Sequence, residues 1–245
     1  MTDESSVARR ALALLDLTDL SDDCTVSDVR RLCERAVTAD GSVAAVCVWP
    51  RFVREASELL HGRPVEVATV VNFPSGDEDV ADVVATTRAA ISDGADEIDL
   101  VMPYRALSAG DEDVVVTMLD AVREVVTTPR RLKVILETGE LGTPESVARA
   151  ARLAIDHGAD FVKTSTGKSK VSATPQAVST MLREIAATRR PVGIKPSGGI
   201  RTVSDAATYL RLADEIMGEG WATSRTFRFG ASGLLDAILE VLDHP

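Results

Sequence analysis

The segment His157-Gly158-Ala159-Asp160-Phe161-Val162-Lys163 joins the end of a helical pattern to a short apolar strand. The same joint occurs earlier in the chain as Asp93-Gly94-Ala95-Asp96, where it again leads from a helical pattern into an apolar run. Glycine often follows the last turn of a helix because it adopts a left-handed conformation at no steric cost. A joint that recurs in this form indicates a chain built from repeated strand–helix units.

On both sides of these joints, apolar runs alternate with helical patterns. Near-continuous apolar runs are typical of parallel strands that are covered on both faces. The eight predicted strands span residues 12–17, 43–49, 65–72, 97–102, 132–137, 161–165, 192–195 and 226–229. The eight predicted helices span residues 26–38, 52–60, 78–93, 113–126, 144–157, 175–188, 203–217 and 234–242.

Eight strand–helix units without a linker predict a (β/α)₈ TIM barrel that forms a single domain over residues 1–245. A doubly wound open sheet is the alternative. That fold is disfavoured because no predicted strand is followed by a Gly-x-Gly-x-x-Gly turn.

The composition favours a cytoplasmic protein. No apolar run approaches the ~18 residues that a membrane span requires, and the acidic start of the chain, Met1 to Ser6, does not resemble a secretory signal. Three cysteines, at positions 24, 33 and 47, are an odd number without metal-type spacing, which is typical of reduced thiols.

The net charge of −11 argues against nucleic acid and anionic membranes as partners. The acidic residues are spread along the chain, as on a solvated surface. Adaptation to a salt-rich cytoplasm is a second interpretation of this acidity, and a bias in nucleotide composition is a third. All three remain open at this point.

Lysine is scarce in this chain, and its placement indicates chemistry. There are five lysines against 22 arginines, and four of the five lie in or beside 161–168 and 193–199. An amine can lose its proton and attack a carbonyl, whereas a guanidinium cannot. Lys163 and Lys195 lie on neighbouring predicted strands, so if both point inward they are expected to lie ~5 Å apart.

Two ammonium groups at that separation repel by about 3 kcal/mol at an effective dielectric constant of ~20. This repulsion corresponds to about two pKa units, enough to bring one amine toward the range in which it acts as a nucleophile. The alternative is that each lysine is a salt-bridged residue at a strand end.

Three further polar residues alternate into the predicted barrel interior. Asp99 is expected to face Lys163 and to transfer protons, or else to form a structural ion pair with Lys195. Asp16 and Thr18 share one face of the first strand and are candidates for binding substrate hydroxyls, or else cap the following turn. Cys47 is interpreted as a small apolar core residue.

Glycine-containing loops follow the last three predicted strands, where barrels often bind phosphate. The loops are Thr166-Gly167-Lys168, Ser197-Gly198-Gly199 and Gly230-Ala231-Ser232-Gly233. No cluster of His, Cys and carboxylate residues has metal-site spacing, so neither a metal nor a cofactor is expected.

Taken together, these residues resemble the 2-deoxyribose-5-phosphate aldolases, which are class I aldolases on a (β/α)₈ barrel. The resemblance runs nearly end to end. The segments that carry it are 15–18, 46–50, 71–76, 94–99, 103–107, 137–141, 161–168, 195–201 and 229–232. Among them, the Phe161–Lys168 segment and the Lys195-Pro196-Ser197-Gly198-Gly199 segment are the most specific.

The resemblance implies that Lys163 forms a Schiff base, that Lys195 lowers its pKa and that Asp99 handles protons through an ordered water. It further implies that the remaining candidates surround a phosphorylated sugar substrate. These are Asp16, Thr18, Thr166 and Lys168 for the sugar, and Gly167, Gly198, Gly199, Gly230 and Ser232 for the phosphate.

The function implied is reversible cleavage of 2-deoxy-D-ribose 5-phosphate to glyceraldehyde 3-phosphate and acetaldehyde, without a cofactor, by a homo-oligomer (a dimer or tetramer). Another Schiff-base barrel aldolase and a non-catalytic phosphosugar-binding barrel are the alternatives. Two features depart from many relatives. Gly233 stands where a second serine is common, and the tail Leu242-Asp243-His244-Pro245 has no tyrosine.

Overall fold

The computed structural model describes residues 4–188 and 190–243. The first three residues and the last two lie outside this part, so the predictions about a leader and about the tail fall partly outside the described residues. Within the described residues, eight parallel strands form one sheet. They are β1 (Leu15–Asp19), β2 (Ala45–Val48), β3 (Glu66–Val71), β4 (Glu97–Val101), β5 (Arg131–Ile135), β6 (Phe161–Lys163), β7 (Gly193–Lys195) and β8 (Phe229–Ala231).

The sheet curls into a nearly closed barrel. The strands β1 to β7 pair with one another in chain order, and β8 pairs in parallel with β1, with Leu15 opposite Phe229. Isolated bridges between Ile194 and Phe227 and between Ser197 and Gly230 join the β7 segment to the β8 segment. The predicted (β/α)₈ barrel is confirmed.

Helices surround the barrel. In the described residues they are α1 (Glu4–Ala13), α2 (Val26–Arg35), α3 (Val53–Leu59), α4 (Val80–Ser92), α5 (Tyr104–Ala109), α6 (Glu112–Val125), α7 (Thr138–Leu141), α8 (Pro144–Asp156), α9 (Pro175–Ala187), α10 (Val203–Met217) and α11 (Leu234–Asp243). Thr143 and Thr174 cap α8 and α9 by accepting a backbone N–H, and a proline follows each of them at the first helical position. None of these described helices is long and apolar enough to cross a membrane.

The two ends of the chain differ most from the prediction. The predicted first strand began at residue 12, but α1 continues to Ala13 and packs against α10 and α11. The apolar run around Leu12 hides this boundary, because Leu12 near the end of α1 and Leu15 at the start of β1 are both buried. The predicted eighth strand ended at Phe229, whereas β8 begins there and contains Gly230.

Two smaller differences have local causes. The predicted helix 26–38 ends at Arg35 because Val37–Thr38 pairs with Gly41–Ser42 in a short antiparallel hairpin. The short helices α5 and α7 were not predicted. Each has only one or two turns, which is too short for a clear helical periodicity.

The barrel interior has an apolar side and a charged side. Ala45, Cys47, Ala68 and Val70 form a small apolar cluster with Leu20. Cys47 is fully buried there, as predicted, and burial raises the pKa of its thiol. The other strands direct charged side chains inward, and these define the candidate site.

Candidate active site

Lys163 and Lys195 lie side by side at the carboxyl ends of β6 and β7. The parallel register places Lys163 directly opposite Lys195. Residues in register on adjacent strands point to the same face of the sheet, and both side chains are buried. The adjacency predicted from the two segments is therefore observed.

Asp99, on β4, contacts both lysines. Its Oδ2 atom accepts hydrogen bonds from Nζ of Lys163 at 2.7 Å and from Nζ of Lys195 at 2.8 Å. Its Oδ1 atom accepts a third bond from Nζ of Lys133 at 2.9 Å. The expected approach to Lys163 and the alternative ion pair with Lys195 thus coexist. Burial would raise the pKa of Asp99, but the three ammonium groups hold it well below its ordinary value.

The two neighbouring lysines have opposite pKa shifts. Burial lowers the pKa of Lys163; Asp99 opposes this shift and the ammonium of Lys195 adds to it. Burial would also lower the pKa of Lys195, but Asp16 and Asp99 raise it above its ordinary value. Nζ of Lys195 lies 2.5 Å from Oδ2 of Asp16. The site therefore pairs a charged lysine with one that is predisposed to be neutral.

The buried ion pairs form one cluster of seven groups. In it three carboxylates, Asp16, Glu97 and Asp99, face four cationic groups, Lys133, Lys163, Lys195 and Arg228, and all seven are at most 3 % exposed. A further buried carboxylate, Glu137, lies outside this cluster and accepts from the hydroxyls of Thr166 and Ser169. An uncompensated buried charge is costly, and loss of the Lys163 proton would equalise the charges within the ion-paired cluster. Of the three lysines in this cluster, Lys163 lines the open cavity, whereas Lys133 and Lys195 do not.

Sequence reasoning missed Lys133, Glu97 and Arg228. Lys133 lies 2.6 Å from Glu97, and the guanidinium of Arg228 bonds Glu97 at 2.9 Å and Asp16 at 2.5 Å. The available signal was a single charged residue inside an otherwise apolar strand, as in Leu132-Lys133-Val134 and Phe227-Arg228-Phe229. Such residues face the barrel interior and need buried partners.

Asp16 lies lower in the barrel than expected for direct contact with a ligand. It is fully buried between Lys195 and Arg228 and does not line the cavity. Thr18 does line the cavity, and its hydroxyl donates a hydrogen bond to the backbone oxygen of Asp16 at 2.9 Å. Asp16 therefore contacts Lys195, the neighbour of Lys163, and not the cavity itself.

A cavity of about 920 Å³ opens above Lys163 at the carboxyl ends of the strands. Ligands bind at this end in barrel enzymes. Most of the predicted binding residues line this cavity. They are Thr18, Thr166, Gly167, Lys168, Gly198, Gly199, Gly230 and Ser232.

Thr166 and Lys168 are both engaged in this structure. The hydroxyl of Thr166 donates to Oε2 of Glu137 at 2.5 Å, and Glu137 is itself held in a left-handed backbone conformation with φ 55°. Nζ of Lys168 lies 3.1 Å from the exposed carboxylate of Asp22, across the cavity mouth. A ligand that binds Lys168 competes with Asp22 for this ammonium group.

Two glycines are required by close packing above the lysines. Gly198 has φ 84°, and a Cβ atom there would lie 2.6 Å from Cβ of Ser172. A Cβ atom on Gly230 would lie 1.9 Å from Oγ of Ser197 and 3.0 Å from Cε of Lys195. The strand that contains Gly230 therefore packs against Lys195 without room for a side chain.

Gly230→Ala is expected to lower the free energy of unfolding by about 1–3 kcal/mol, the usual cost of overpacking a filled interior. Gly233→Ala is the matched control, because a Cβ atom there meets nothing within 4 Å. Urea denaturation of both variants measures the difference. Equal stability of the two variants would contradict the close packing at Gly230.

No group of three or more His, Cys, Asp or Glu side chains in residues 4–188 and 190–243 is arranged to hold a metal ion. The groups that remain available for chemistry at the cavity are an amine of lowered pKa, a charged lysine beside it, and a rim of glycines and hydroxyls. This set can form a covalent adduct with a carbonyl compound and bind an anionic group nearby.

Comparison with known proteins agrees with this chemistry. Residues 10–236 match the DeoC/LacD family aldolase model. A deoxyribose-phosphate aldolase of Agrobacterium fabrum strain C58 is 56% identical over 236 residues, which cover 96% of this chain and 91% of that protein.

Solved structures give the same result. A Coccidioides immitis protein assigned as a deoxyribose-phosphate aldolase has a TM-score of 0.86 at 33% identity, covering 96% of this chain and 87% of that chain. A Toxoplasma gondii ME49 protein with the same assignment has a TM-score of 0.89 at 29% identity, covering 98% and 97%. The family match and the identity to the Agrobacterium enzyme extend over the whole barrel, and this chain belongs to the DeoC/LacD aldolase family.

Proposed function

We propose that this protein is a class I aldolase that reversibly cleaves 2-deoxy-D-ribose 5-phosphate to D-glyceraldehyde 3-phosphate and acetaldehyde. The observation that carries the proposal is the amine of Lys163, which is buried, has a lowered pKa and lines the cavity beside a charged Lys195. The substrate is taken from the Agrobacterium relative, which bears the name deoxyribose-phosphate aldolase.

In the first step the neutral amine of Lys163 adds to the C1 aldehyde of the open-chain sugar. The carbinolamine hydroxyl then takes up a proton from solvent water and leaves as water, which gives a protonated Schiff base. Asp99 lies 2.7 Å from the attacking nitrogen and can stabilise the positive charge that this nitrogen acquires. Lys195 remains protonated, because its contacts with Asp16 and Asp99 raise its pKa.

In the second step the bond between C2 and C3 breaks. The C3 hydroxyl loses its proton to a base, C3 becomes the aldehyde of glyceraldehyde 3-phosphate, and the bonding electrons move toward the iminium nitrogen to form an enamine. Protonation of the enamine at C2 and addition of water release acetaldehyde and restore the amine. The condensation runs through the same steps in reverse.

Asp99 is assigned to this proton transfer through an ordered water. Its pKa is held low by three ammonium groups, which makes direct removal of a hydroxyl proton by the carboxylate unfavourable. A water bound to Asp99 can instead pass the proton between the C3 hydroxyl and C2. Asp99 also keeps the nitrogen of Lys163 fixed in place.

The phosphate of the substrate is assigned to the glycine loops above β6, β7 and β8. The backbone N–H groups of Gly167 and Gly199, the hydroxyl of Ser232 and the ammonium of Lys168 would supply donors to it. Gly198 and Gly230, whose N–H groups donate to the backbone oxygens of Gly230 and Pro196, would instead leave room for the phosphate to approach the backbone. Thr18 and Thr166 also line the cavity and would contact the sugar hydroxyls. Asp16 would act on the sugar end only through Lys195, since it does not reach the cavity.

The direct test is a cleavage assay that detects glyceraldehyde 3-phosphate released from 2-deoxyribose 5-phosphate. Reductive trapping with acetaldehyde, dihydroxyacetone and pyruvate, each tested separately, identifies the carbonyl donor that the enzyme accepts. The proposal requires release of glyceraldehyde 3-phosphate and efficient trapping with acetaldehyde. Preferential trapping with dihydroxyacetone or pyruvate would identify a different Schiff-base aldolase, and a protein without either activity would be a binding protein.

We also propose a cellular location, an oligomeric state and a domain organisation for this enzyme. We infer a cytoplasmic homo-oligomer, either a dimer or a tetramer, in which residues 1–245 form one catalytic domain. Light scattering on the purified protein measures the oligomeric state, and limited proteolysis measures whether the chain behaves as one domain.

Asp22→Asn is expected to lower KM for the phosphorylated sugar without changing kcat, because the variant frees Lys168 from its ion pair across the cavity mouth. An exposed pair of this kind contributes up to about 1 kcal/mol, which limits the change in KM to about fivefold. Steady-state kinetics at low salt measure the change. Asp23→Asn, one residue away, is the matched control and should leave KM unaltered; equal effects of the two variants would assign the change to overall charge.

A further inference from the structure

The substrate cavity continues outward beyond the lysines and glycine loops until it meets α2. Four residues of α2 line this outer part: Asp28, Arg31, Leu32 and Arg35. Their spacing of three, four and seven residues places them on one face of the helix. One side of α2 therefore forms the outer wall of the cavity, and two of its four residues are arginines.

The charge of the cavity wall is opposite in sign to the charge of the protein. Two acidic side chains, Asp19 and Asp28, line the cavity, whereas four cationic side chains line it besides the amine of Lys163: Lys168, Arg31, Arg35 and Arg201. The whole chain carries −11. A concave surface of one sign focuses the electrostatic field and raises the local concentration of ligands of opposite charge.

Asp28, the acidic residue of α2 that lines the cavity, is already bonded within its own helix. Oδ2 of Asp28 accepts from the hydroxyl of Thr25 at 2.5 Å and from its backbone N–H at 2.8 Å, which completes the capping box of α2. These bonds lower the pKa of Asp28. Asp28 therefore stays ionised as part of the helix cap, and its remaining oxygen contacts Arg31.

The two arginines are fixed by one acidic contact each. Arg31 bonds Asp28 within α2, and Arg35 bonds Asp236 in the first turn of α11, which follows the Ser232-Gly233 turn after β8. A guanidinium has five N–H donors, so each group keeps free donors. The side chains are 65% and 44% exposed, respectively.

We propose that Arg31 and Arg35 form an outer phosphate-binding wall, which captures the phosphate monoester of the substrate at the cavity mouth before it seats on the glycine loops. Planar guanidinium groups match the oxygen geometry of phosphate. The inference rests on the proposed function for the identity of the substrate. The attraction itself extends to any ligand that carries a phosphate monoester.

The test is the double variant Arg31→Gln/Arg35→Gln, assayed with 2-deoxyribose 5-phosphate and with unphosphorylated 2-deoxyribose. We expect kcat/KM for the phosphorylated sugar to fall about tenfold at low salt, because steering by a charged rim acts on association. At about 1 M salt the difference should shrink below about twofold. For the unphosphorylated sugar the loss should be below twofold at either salt concentration.

Arg30→Gln is the matched control. Arg30 lies on the same helix, is exposed and pairs with Glu55, but does not line the cavity. The double variant Arg31→Lys/Arg35→Lys keeps the charge and should retain at least about half of the wild-type kcat/KM. A salt-dependent loss of the same size in Arg30→Gln, an equal loss with both sugars, or no loss in the double glutamine variant would each overturn the proposal.

Binding of inorganic phosphate, measured by calorimetry, separates this proposal from the proposed function. Weaker phosphate binding by the double glutamine variant than by the wild type and Arg30→Gln supports the outer wall, even if the wild type does not cleave 2-deoxyribose 5-phosphate. Unchanged phosphate binding together with unchanged kinetics overturns the outer wall and leaves the aldolase assignment standing.

Discussion

Replacing Lys163 with arginine is expected to lower kcat/KM by at least about 10³-fold, because loss of the nucleophile removes covalent catalysis. Arginine keeps a positive charge beside Asp99 but cannot act as a neutral amine. The measurement is the rate of cleavage of 2-deoxyribose 5-phosphate, with circular dichroism to establish that the barrel is folded.

Lys168→Arg is the matched control for this variant, since Lys168 also lines the cavity but lies at its mouth and pairs with Asp22. It should retain most of the wild-type kcat, with any loss confined to KM. A folded Lys163→Arg variant with more than about a tenth of the wild-type kcat/KM would contradict the role of the amine.

Replacing Lys195 with leucine is expected to lower the rate at neutral pH by about 100-fold, because a repulsion of about 3 kcal/mol that favours the neutral amine of Lys163 is lost. The pKa of Lys163 therefore rises. Asp99 still raises the pKa of Lys163 in this variant, whereas the ammonium of Lys195 no longer lowers it.

The direction of the pH effect follows from the protonation state of Lys163. The amine is active when neutral, so activity is present above its pKa and is lost as pH falls through that value. A lowered pKa extends activity toward acidic pH; loss of Lys195 should therefore move the acidic limb of the pH–rate profile to higher pH. Lys195→Arg keeps the charge and should leave the limb near its wild-type position. An unmoved limb in a folded Lys195→Leu variant would exclude Lys195 as the activating group.

The lysine pair could be predicted from the sequence because it depends on few assumptions. Parallel strands that are adjacent in chain order are usually adjacent in the sheet, and lysines at the ends of two such strands meet at one edge. The strands around Lys163 and Lys195 are short, apolar and clearly bounded by glycine loops. These two facts were enough to predict the observed register, in which Lys163 lies opposite Lys195.

The rest of the buried network could not be predicted in the same way. Whether Lys133 reaches Asp99 and Glu97, and whether Arg228 reaches Asp16, depends on how far each strand is shifted along its neighbours when the barrel closes. That shift is a property of the whole barrel and is not encoded in any one segment. The misplaced eighth strand has the same origin, because Gly230 resembles a loop residue until its contact with Ser197 is known.

Two further features could not be predicted from the sequence because they depend on packing: the limits of α1 and the outer wall of the cavity. The sequence around Leu12 is apolar without interruption, so the boundary between helix and strand depends on what covers each residue. The arginines of α2 look like ordinary surface residues in the sequence. Their position at the cavity follows only from the packing of α2 beside β1 and β2.

The most direct test of the central claim is to map the covalent adduct formed by the wild-type protein. The protein is reduced with borohydride in the presence of acetaldehyde, digested, and analysed by mass spectrometry at each of its five lysines. A reduced adduct on Lys163 alone is the predicted result. An adduct on Lys195 or Lys168, or no adduct on a protein that still cleaves the sugar phosphate, would contradict the assignment of Lys163 as the neutral nucleophile beside a charged Lys195.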